Sequence, residues 1–331
     1  MAGAVARVER TDGSLAWTGS YGEAQPDTPF FIASTTKLYT TAIVLRLIER
    51  GQLGLDDRLV DRVDPHLVAG IHVHRGVDHS DRITIRHLLS QTSGLADYFG
   101  GKQKDGRSIE RTLRDGHDTA WTLTDALEWS RSLGAAFPPG AKRKARYSDT
   151  NYQLLGRVIE EATGQTYADA LRNEVLEVLG LRGTWLHVDT TDQRALPLRD
   201  GGRRLDIPLA MTSFGPDGGV VADVADLMAF VRGFFEGRLF DASVLPTLGD
   251  WRRIFFPLRY GVGLMRFKLP RILSPLSDPP ELIGHSGLSG AFAFHVPRER
   301  LYVAGTVNDL ARPDRSFRLM LGLVREVTRT G

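Results

Sequence analysis

Ser34-Thr-Thr-Lys37 is a place in this sequence where residue type and spacing together suggest covalent chemistry. A serine and a lysine three apart lie on one helical face about a turn apart, so the amine reaches the hydroxyl. A serine nucleophile needs a base to take its proton, and a desolvated lysine with a lowered pKa can serve. The start of a helix also favours negative charge developing beside it. With 17 serines and 6 lysines in 331 residues, chance supplies roughly 0.3 such pairs, and this is the single one present. The competing structural role is a helix start capped by Ser34 or Thr35, with Lys37 in solvent.

Two further segments carry reactive side chains. Tyr147-Ser-Asp149-Thr-Asn151 precedes an apolar-periodic stretch. Either Asp149 or Thr150 caps that helix, or Tyr147 is a phenol that relays a proton to a leaving group. Just upstream, Lys142-Arg-Lys-Ala-Arg146 is a solvated face or a charge that lowers the tyrosine pKa and attracts a carboxylate. Gly284-His285-Ser-Gly287, followed by Leu288 and Gly290, reads as a strand edge that permits close backbone approach and offers N–H groups to an acyl oxygen. His72-Val-His74 with Asp78 and His79 has spacing that can hold zinc. It lies on a polar loop without a helical His pair, so the expectation is no metal.

The elements that must position these groups follow from periodicity. Val5 and Val8, then Asp12-Gly13, then Leu15 and Trp17 read as a β-hairpin on a type I′ turn. A helix is predicted over 35–50, closed by Gly51, and shorter ones over 85–90, 124–133 and 152–162, the last stopped by Gly164. Helices near 223–235 and 314–328 flank runs of strand character at 291–296 and 301–307. Strands and helix at both ends with helices between predict an α/β fold of α+β type: an antiparallel sheet flanked by helices, with a mostly helical inserted domain. The expected boundaries are 1–60 with 206–331 for the sheet domain and 61–205 for the helical one, the site lying at their interface.

Composition narrows the functional classes. The 42 basic and 40 acidic residues leave a net charge of +2, which gives no reason to expect nucleic acid as a partner. No cysteine is present, which excludes disulfides, thiolate metal sites and a cysteine nucleophile. No apolar run is long enough for a membrane span. The first ten residues lack a secretory pattern, so the chain reads as cytoplasmic, although one trimmed of an export signal would read the same. No cofactor is suggested.

Ser-x-x-Lys, then Tyr-x-Asn, then Lys-Thr-Gly or His-x-Gly is the set found in penicillin-recognising serine enzymes, and Ser34 with Lys37, Tyr147 with Asp149, and His285 with Gly287 follow in that order here. With Pro29-Phe-Phe-Ile-Ala-Ser-Thr-Thr-Lys37, Ile85-Arg-His-Leu-Leu-Ser-Gln-Thr-Ser-Gly94, Tyr147 through Gly156 and Tyr260-Gly-Val-Gly263, the sequence resembles the class C β-lactamase, DD-peptidase and family VIII esterase group over nearly its whole length. The resemblance implies a β-lactamase/transpeptidase-like fold and a serine hydrolase that forms an acyl-enzyme on small esters or amides. DD-carboxypeptidase, D-aminopeptidase, β-lactamase and an inactive ligand-binding module are the alternatives. It implies that Ser34 is acylated, that Lys37 accepts or orients its proton and that Tyr147 shuttles a proton to the leaving group. His285 would stand near the substrate carboxylate or the tyrosine. The N–H groups of Ser34 and Leu288, beside Gly287, would form the oxyanion hole. Asp149 stands where the family pattern has asparagine, exchanging an amide donor for a carboxylate. An ion pair with Lys37 is its expected role. The family's helix before the first strand has no counterpart ahead of Val5, so the outer sheet face is expected to rest on the C-terminal helix.

Overall fold

The computed structural model describes residues 3–270 and 279–329. Met1, Ala2, 271–278 and 330–331, all assigned above to the sheet part, lie outside the described residues. The main sheet is antiparallel and eight-stranded among the described residues. Its strands are β1 (Gly3–Arg10), β2 (Ala16–Gly22), β6 (Arg252–Phe255), β7 (Leu258–Tyr260), β8 (Met265–Phe267), β9 (Leu282–Ser286), β10 (Ala291–Val296) and β11 (Leu301–Thr306). They run in the order β6-β7-β8-β9-β10-β11-β1-β2, so both ends of the chain meet at the β11–β1 pair. A smaller sheet joins β3 (Phe30–Phe31), β4 (Thr184–Leu186) and β5 (Val220–Ala222), with β5 central.

Alternation decides what covers each sheet face. Ala291, Ala293 and Ala304 point one way, and their small side chains join the core of α1 (Thr36–Glu49) and α5 (Val224–Phe235). Phe292, Phe294, Leu301 and Val303 point the other way, against Phe317, Met320 and Val324 of α6 (Asp314–Arg329). Both faces of β10 and β11 are therefore covered, which is why these strands read as apolar runs. The C-terminal helix does pack on the outer face as expected.

Helix α1 is buried almost all round rather than on one stripe. Its threonines make that possible. Thr40 donates to the Pro216 carbonyl at 2.6 Å, and Thr41 to the Lys37 carbonyl at 2.7 Å, so neither hydroxyl is orphaned. Gly51 ends the helix at φ +71°, as its position just past the last turn predicts. The other predicted helices are present as α2 (Ile85–Leu89), α3 (Leu123–Leu133) and α4 (Thr150–Thr163), the last stopped by left-handed Gly164.

The first hairpin differs from expectation. Arg10 N–H donates to the Leu15 carbonyl, giving a four-residue loop over 11–14 in which Gly13 has φ +77° but Asp12 does not have positive φ. A type I′ turn needs positive φ at both central residues, so this is the longer loop closed by a left-handed glycine. One buried cluster takes in Val5, α1, α2, α4, α5 and Ala304, so it crosses the boundaries expected at 60/61 and 205/206.

Candidate active site

Ser34 lies in a 3₁₀ turn (Ala33–Thr35) that runs directly into α1. Ala33, just before it, has φ +46°, an uncommon conformation for a residue with a Cβ and one of the places where backbone strain accumulates at functional sites. Neither Ser34 nor Thr35 caps the helix with its side chain. Lys37 is fully buried and its three N–H donors are all engaged. They reach Ser34 Oγ at 3.1 Å, the Asp217 carbonyl at 2.6 Å and Asp149 Oδ1 at 2.7 Å.

That arrangement reverses the expected lysine chemistry. Burial alone pulls the Lys37 pKa down, but Asp149, Tyr147 and Asp217 together outweigh it and hold the group above its ordinary value. Lys37 rests as an ammonium. Asp149 occupies the N-cap position of α4 yet makes no side-chain cap, because its carboxylate is turned to Lys37. The predicted ion pair is therefore present.

Tyr147 sits beside both groups. Its hydroxyl interacts with Ser34 and Lys37, and Lys37 Nζ lies 5.3 Å from its ring centroid. Burial raises its pKa above the ordinary phenol value against the opposing pull of Lys37, so the resting phenol is neutral. The run Lys142-Arg-Lys-Ala-Arg146 does not lower it: Lys142, Arg143 and Lys144 face solvent, and the cation that acts on the phenol is Lys37.

The turn that carries Tyr147 and Asp149 is fixed by Gln91, in the loop after α2. Gln91 Oε1 accepts from Ser148 N–H at 2.9 Å and from Asn151 Nδ2 at 2.6 Å, while Asn151 Oδ1 accepts from Ser93 at 2.6 Å. The family-like Ser-Gln-Thr-Ser segment thus serves as the mould for the Tyr147–Asp149 turn. Two carboxylates that sequence reasoning did not single out complete the surroundings. Asp217 is buried, accepts from Tyr98 Oη at 2.8 Å and Gln153 Nε2 at 3.0 Å, and has its pKa raised by burial and by Asp149. Asp97 keeps some exposed surface and accepts from Asp149 N–H at 3.0 Å; burial of its carboxyl, then Asp149, push it up to about 7.

His285 stands by the tyrosine, one of the two places expected for it, while Gly287 departs from its expected part. His285 is fully buried on β9, with Nδ1–H donating to the Ser286 carbonyl at 2.8 Å and Nε2 accepting from Tyr260 Oη at 3.0 Å. Burial, then Lys37, push its pKa down to about 3, so it is neutral and offers no charge to a substrate carboxylate. It buttresses Tyr147 instead, ring centroids 6.3 Å apart. The Gly287 N–H is spent on the Ala291 carbonyl at 2.8 Å. The close approach its missing side chain permits is to its own chain, since a Cβ would lie 2.3 Å from the Ile32 carbonyl oxygen. Among the described residues the N–H groups of Ser34 and Leu288 donate to nothing, and both residues line the same cavity.

That cavity opens beside Ser34. Its walls are mainly apolar, with Phe31, Phe99, Leu205, Met211, Phe214 and Leu288 prominent, and Asp149 is at the Ser34 end. Arg114, also lining it, is tied to Asp200 at 2.7 Å and to Glu110 at 3.2 Å. The histidine-rich loop is elsewhere: His72 Nε2 and His74 Nδ1 bond the carbonyls of Phe137 and Ala135, both at 3.0 Å. No cluster of three metal-ligating side chains occurs among the described residues. Among them, too, no helix is long and apolar enough to cross a membrane.

An antiparallel sheet packed on helices, with a serine and a buried lysine at the head of the central helix, defines the architecture of the serine β-lactamases and transpeptidases. The chain belongs to the beta-lactamase family, whose model matches residues 1–324. It is 32% identical to penicillin-binding protein 4 of Amycolatopsis lactamdurans over 62% of this chain and 50% of that protein. It is 31% identical to esterase EstB of Burkholderia gladioli over 75% of this chain and 61% of that one. The chain therefore spans half to three-fifths of the length of these relatives. Among solved structures, a D-stereospecific amidohydrolase from Streptomyces sp. superimposes with a TM-score of 0.75 at 28% identity, covering 94% of this chain and 90% of the other. The D-amino acid amidase of Ochrobactrum anthropi SV3, at 21% identity, TM-score 0.77 and coverage of 99% and 94%, shares the fold.

Proposed function

We propose that the protein is a serine hydrolase that acts on small carboxylic esters or amides through an acyl-enzyme on Ser34. The observation that carries this reading is the Lys37 ammonium held between Ser34 Oγ, Asp149 and the Asp217 carbonyl. In this reading the sheet part supplies Ser34, Lys37 and Leu288 while the helical part supplies Tyr147 and Asp149. Ser34 Oγ attacks the carbonyl carbon. Its proton passes to Lys37 as Lys37 gives one to Asp149, so the base is the ion pair rather than a neutral amine. The Ser34 and Leu288 N–H groups receive the developing oxyanion. Tyr147 hands a proton to the leaving group, and its hydroxyl is reprotonated from Lys37. Water then releases the acyl group by the same steps in reverse order.

Hydrolysis of p-nitrophenyl butyrate and nitrocefin, side by side, tests the reading with Ser34→Ala as control. Ester turnover that disappears in the variant is expected, and retention of a tenth of wild-type activity there overturns it. Likeness to an amidohydrolase over nearly the whole chain favours amides as a second substrate class. Rapid nitrocefin turnover would instead put β-lactams first and show that Asp149 replaces the asparagine of the family pattern.

A further inference from the structure

We propose that the β6–β7 hairpin docks this protein on an anionic lipid surface, with Phe255 and Phe256 entering the acyl boundary and the cations around them meeting the headgroups. The proposal goes beyond the acyl-transfer reading above and does not depend on it. The hairpin forms one edge of the main sheet and turns at Phe256-Pro257, between the strand ends Phe255 and Leu258. At this tip Phe255 is 57% exposed and Phe256 64%. Single exposed apolar residues are ordinary on a protein surface, whereas adjoining large ones mark contact with an apolar partner. Ile254 and Leu258 pack on the buried cluster that holds Phe267 and Phe294, so the tip is anchored from behind.

The charge around the tip decides the kind of apolar partner. Arg253 and Arg259 stand directly opposite each other on the two strands, and both are exposed. Like charges so placed cost a hairpin stability, so folding does not account for them. Phe255 lies against Tyr147, ring centroids 6.1 Å apart, and Lys142, Arg143 and Lys144 are exposed three to five residues ahead of that tyrosine. None of these five cations makes an ion pair among the described residues, while Asp250, close by, is taken up by Arg252 at 2.7 Å. Exposed rings set among unanswered cations fit an apolar layer beneath a negative surface, where the rings enter the boundary and the long basic side chains reach phosphates. A second copy of this chain would bring the same positive charges together, so self-association does not suit the tip. A nucleic acid would answer the charge, but the end of a hairpin offers no groove in which successive bases stack.

The test is co-sedimentation of the whole chain with vesicles of phosphatidylcholine alone or mixed with an equal share of phosphatidylglycerol. Binding to the mixed vesicles is expected to be at least about tenfold tighter than to phosphatidylcholine, and to weaken as added salt screens the charge. Arg253→Gln with Arg259→Gln should weaken it roughly tenfold to thirtyfold, since each cation near an anionic surface contributes about a factor of five. Phe256→Ser should weaken it roughly tenfold by removing an inserted ring. None of these three side chains belongs to the acyl-transfer site, so p-nitrophenyl butyrate turnover should stay within about twofold of wild type in both variants. No binding of the wild-type chain to mixed vesicles overturns the proposal. Binding that survives Phe256→Ser but not the arginine changes also overturns it and assigns the tip to a soluble polyanion, for which a single-stranded oligonucleotide is the probe. If Phe256→Ser does not fold, a fluorophore decides: the chain has no cysteine, so Phe256→Cys takes a single environment-sensitive label. Its emission should shift to the blue on mixed vesicles, and an unshifted emission from sedimented protein overturns the proposal.

Discussion

Replacing Lys37 by methionine keeps the stem of the side chain and deletes its charge. In the folded protein that leaves Asp149, with a side chain 10% exposed, facing a fully buried position that no longer holds a cation. At 2.7 Å the pair attracts by about 6 kcal/mol in an effective dielectric near 20, a gain largely offset by the cost of desolvating both ions. Deleting one partner removes the gain but leaves the other ion's desolvation cost, so Lys37→Met should destabilise by roughly 3–5 kcal/mol at pH 8. Urea unfolding with linear extrapolation measures this. The second arm is Lys37→Met with Asp149→Asn, which discharges the stranded carboxylate and should recover most of the loss. Lys37 has a folded pKa above its ordinary 10.5, so its contribution is complete below that value and is lost as pH rises toward the folded value. A Lys37→Met protein as stable as wild type, or one not rescued by Asp149→Asn, refutes the claim that this pair is the central electrostatic element of the site.

Asp97 gives a dependence of the same sign at lower pH. Its carboxyl goes from an ordinary 3.8 to about 7 on folding, so its contribution is full below 3.8 and is lost as pH rises through 7. The shift caps that loss at about 4 kcal/mol, and solvent at its exposed edge lowers it. Asp97→Asn should flatten the stability profile between pH 4 and pH 7, and an unchanged slope counts against the assignment. Tyr147→Phe keeps the ring contacts with Tyr260 and His285 but removes the hydroxyl that meets Ser34 and Lys37. Esterase kcat/KM should fall roughly 10²- to 10⁴-fold with little change in melting temperature, whereas activity within threefold of wild type would exclude proton transfer by this phenol. In Gly284→Ala the new Cβ would lie 2.0 Å from the Ala293 carbonyl oxygen and 2.8 Å from Phe294 Cα, both backbone, so β9 cannot keep its place. A loss of about 3 kcal/mol in chemical unfolding is expected, and stability equal to wild type would contradict that packing.

What could be read from the sequence is what local spacing encodes. The turn of helix between Ser34 and Lys37 and the stop at Gly51 are present in the fold, and so is the Asp149–Lys37 pair, which only the family resemblance had suggested. The lysine's protonation follows from Asp149 first, then Tyr147, with a further part from Asp217, 180 residues along the chain, which the sequence did not single out. Asp217 acts on Lys37 partly through its backbone carbonyl, which any residue type supplies. His285 lies beside the tyrosine, one of the two places expected for it, but its neutral state follows from complete burial, which the sequence does not show. Gly287 marks a close approach, but the approaching group is the Ile32 carbonyl, which no local pattern reveals. The apolar cavity escaped notice because its wall combines β3 with loop residues such as Phe99, Leu205 and Phe214, scattered over more than a hundred positions. Loop residues share no period.

The central claim is that Ser34 becomes covalently acylated, and intact-protein mass spectrometry after rapid mixing with p-nitrophenyl butyrate, quenched in acid, tests it most directly. The account predicts a butyryl adduct that maps to the peptide containing Ser34, decays as ester is consumed and is absent in Ser34→Ala. An adduct on another residue, or turnover that continues undiminished in Ser34→Ala, would contradict it.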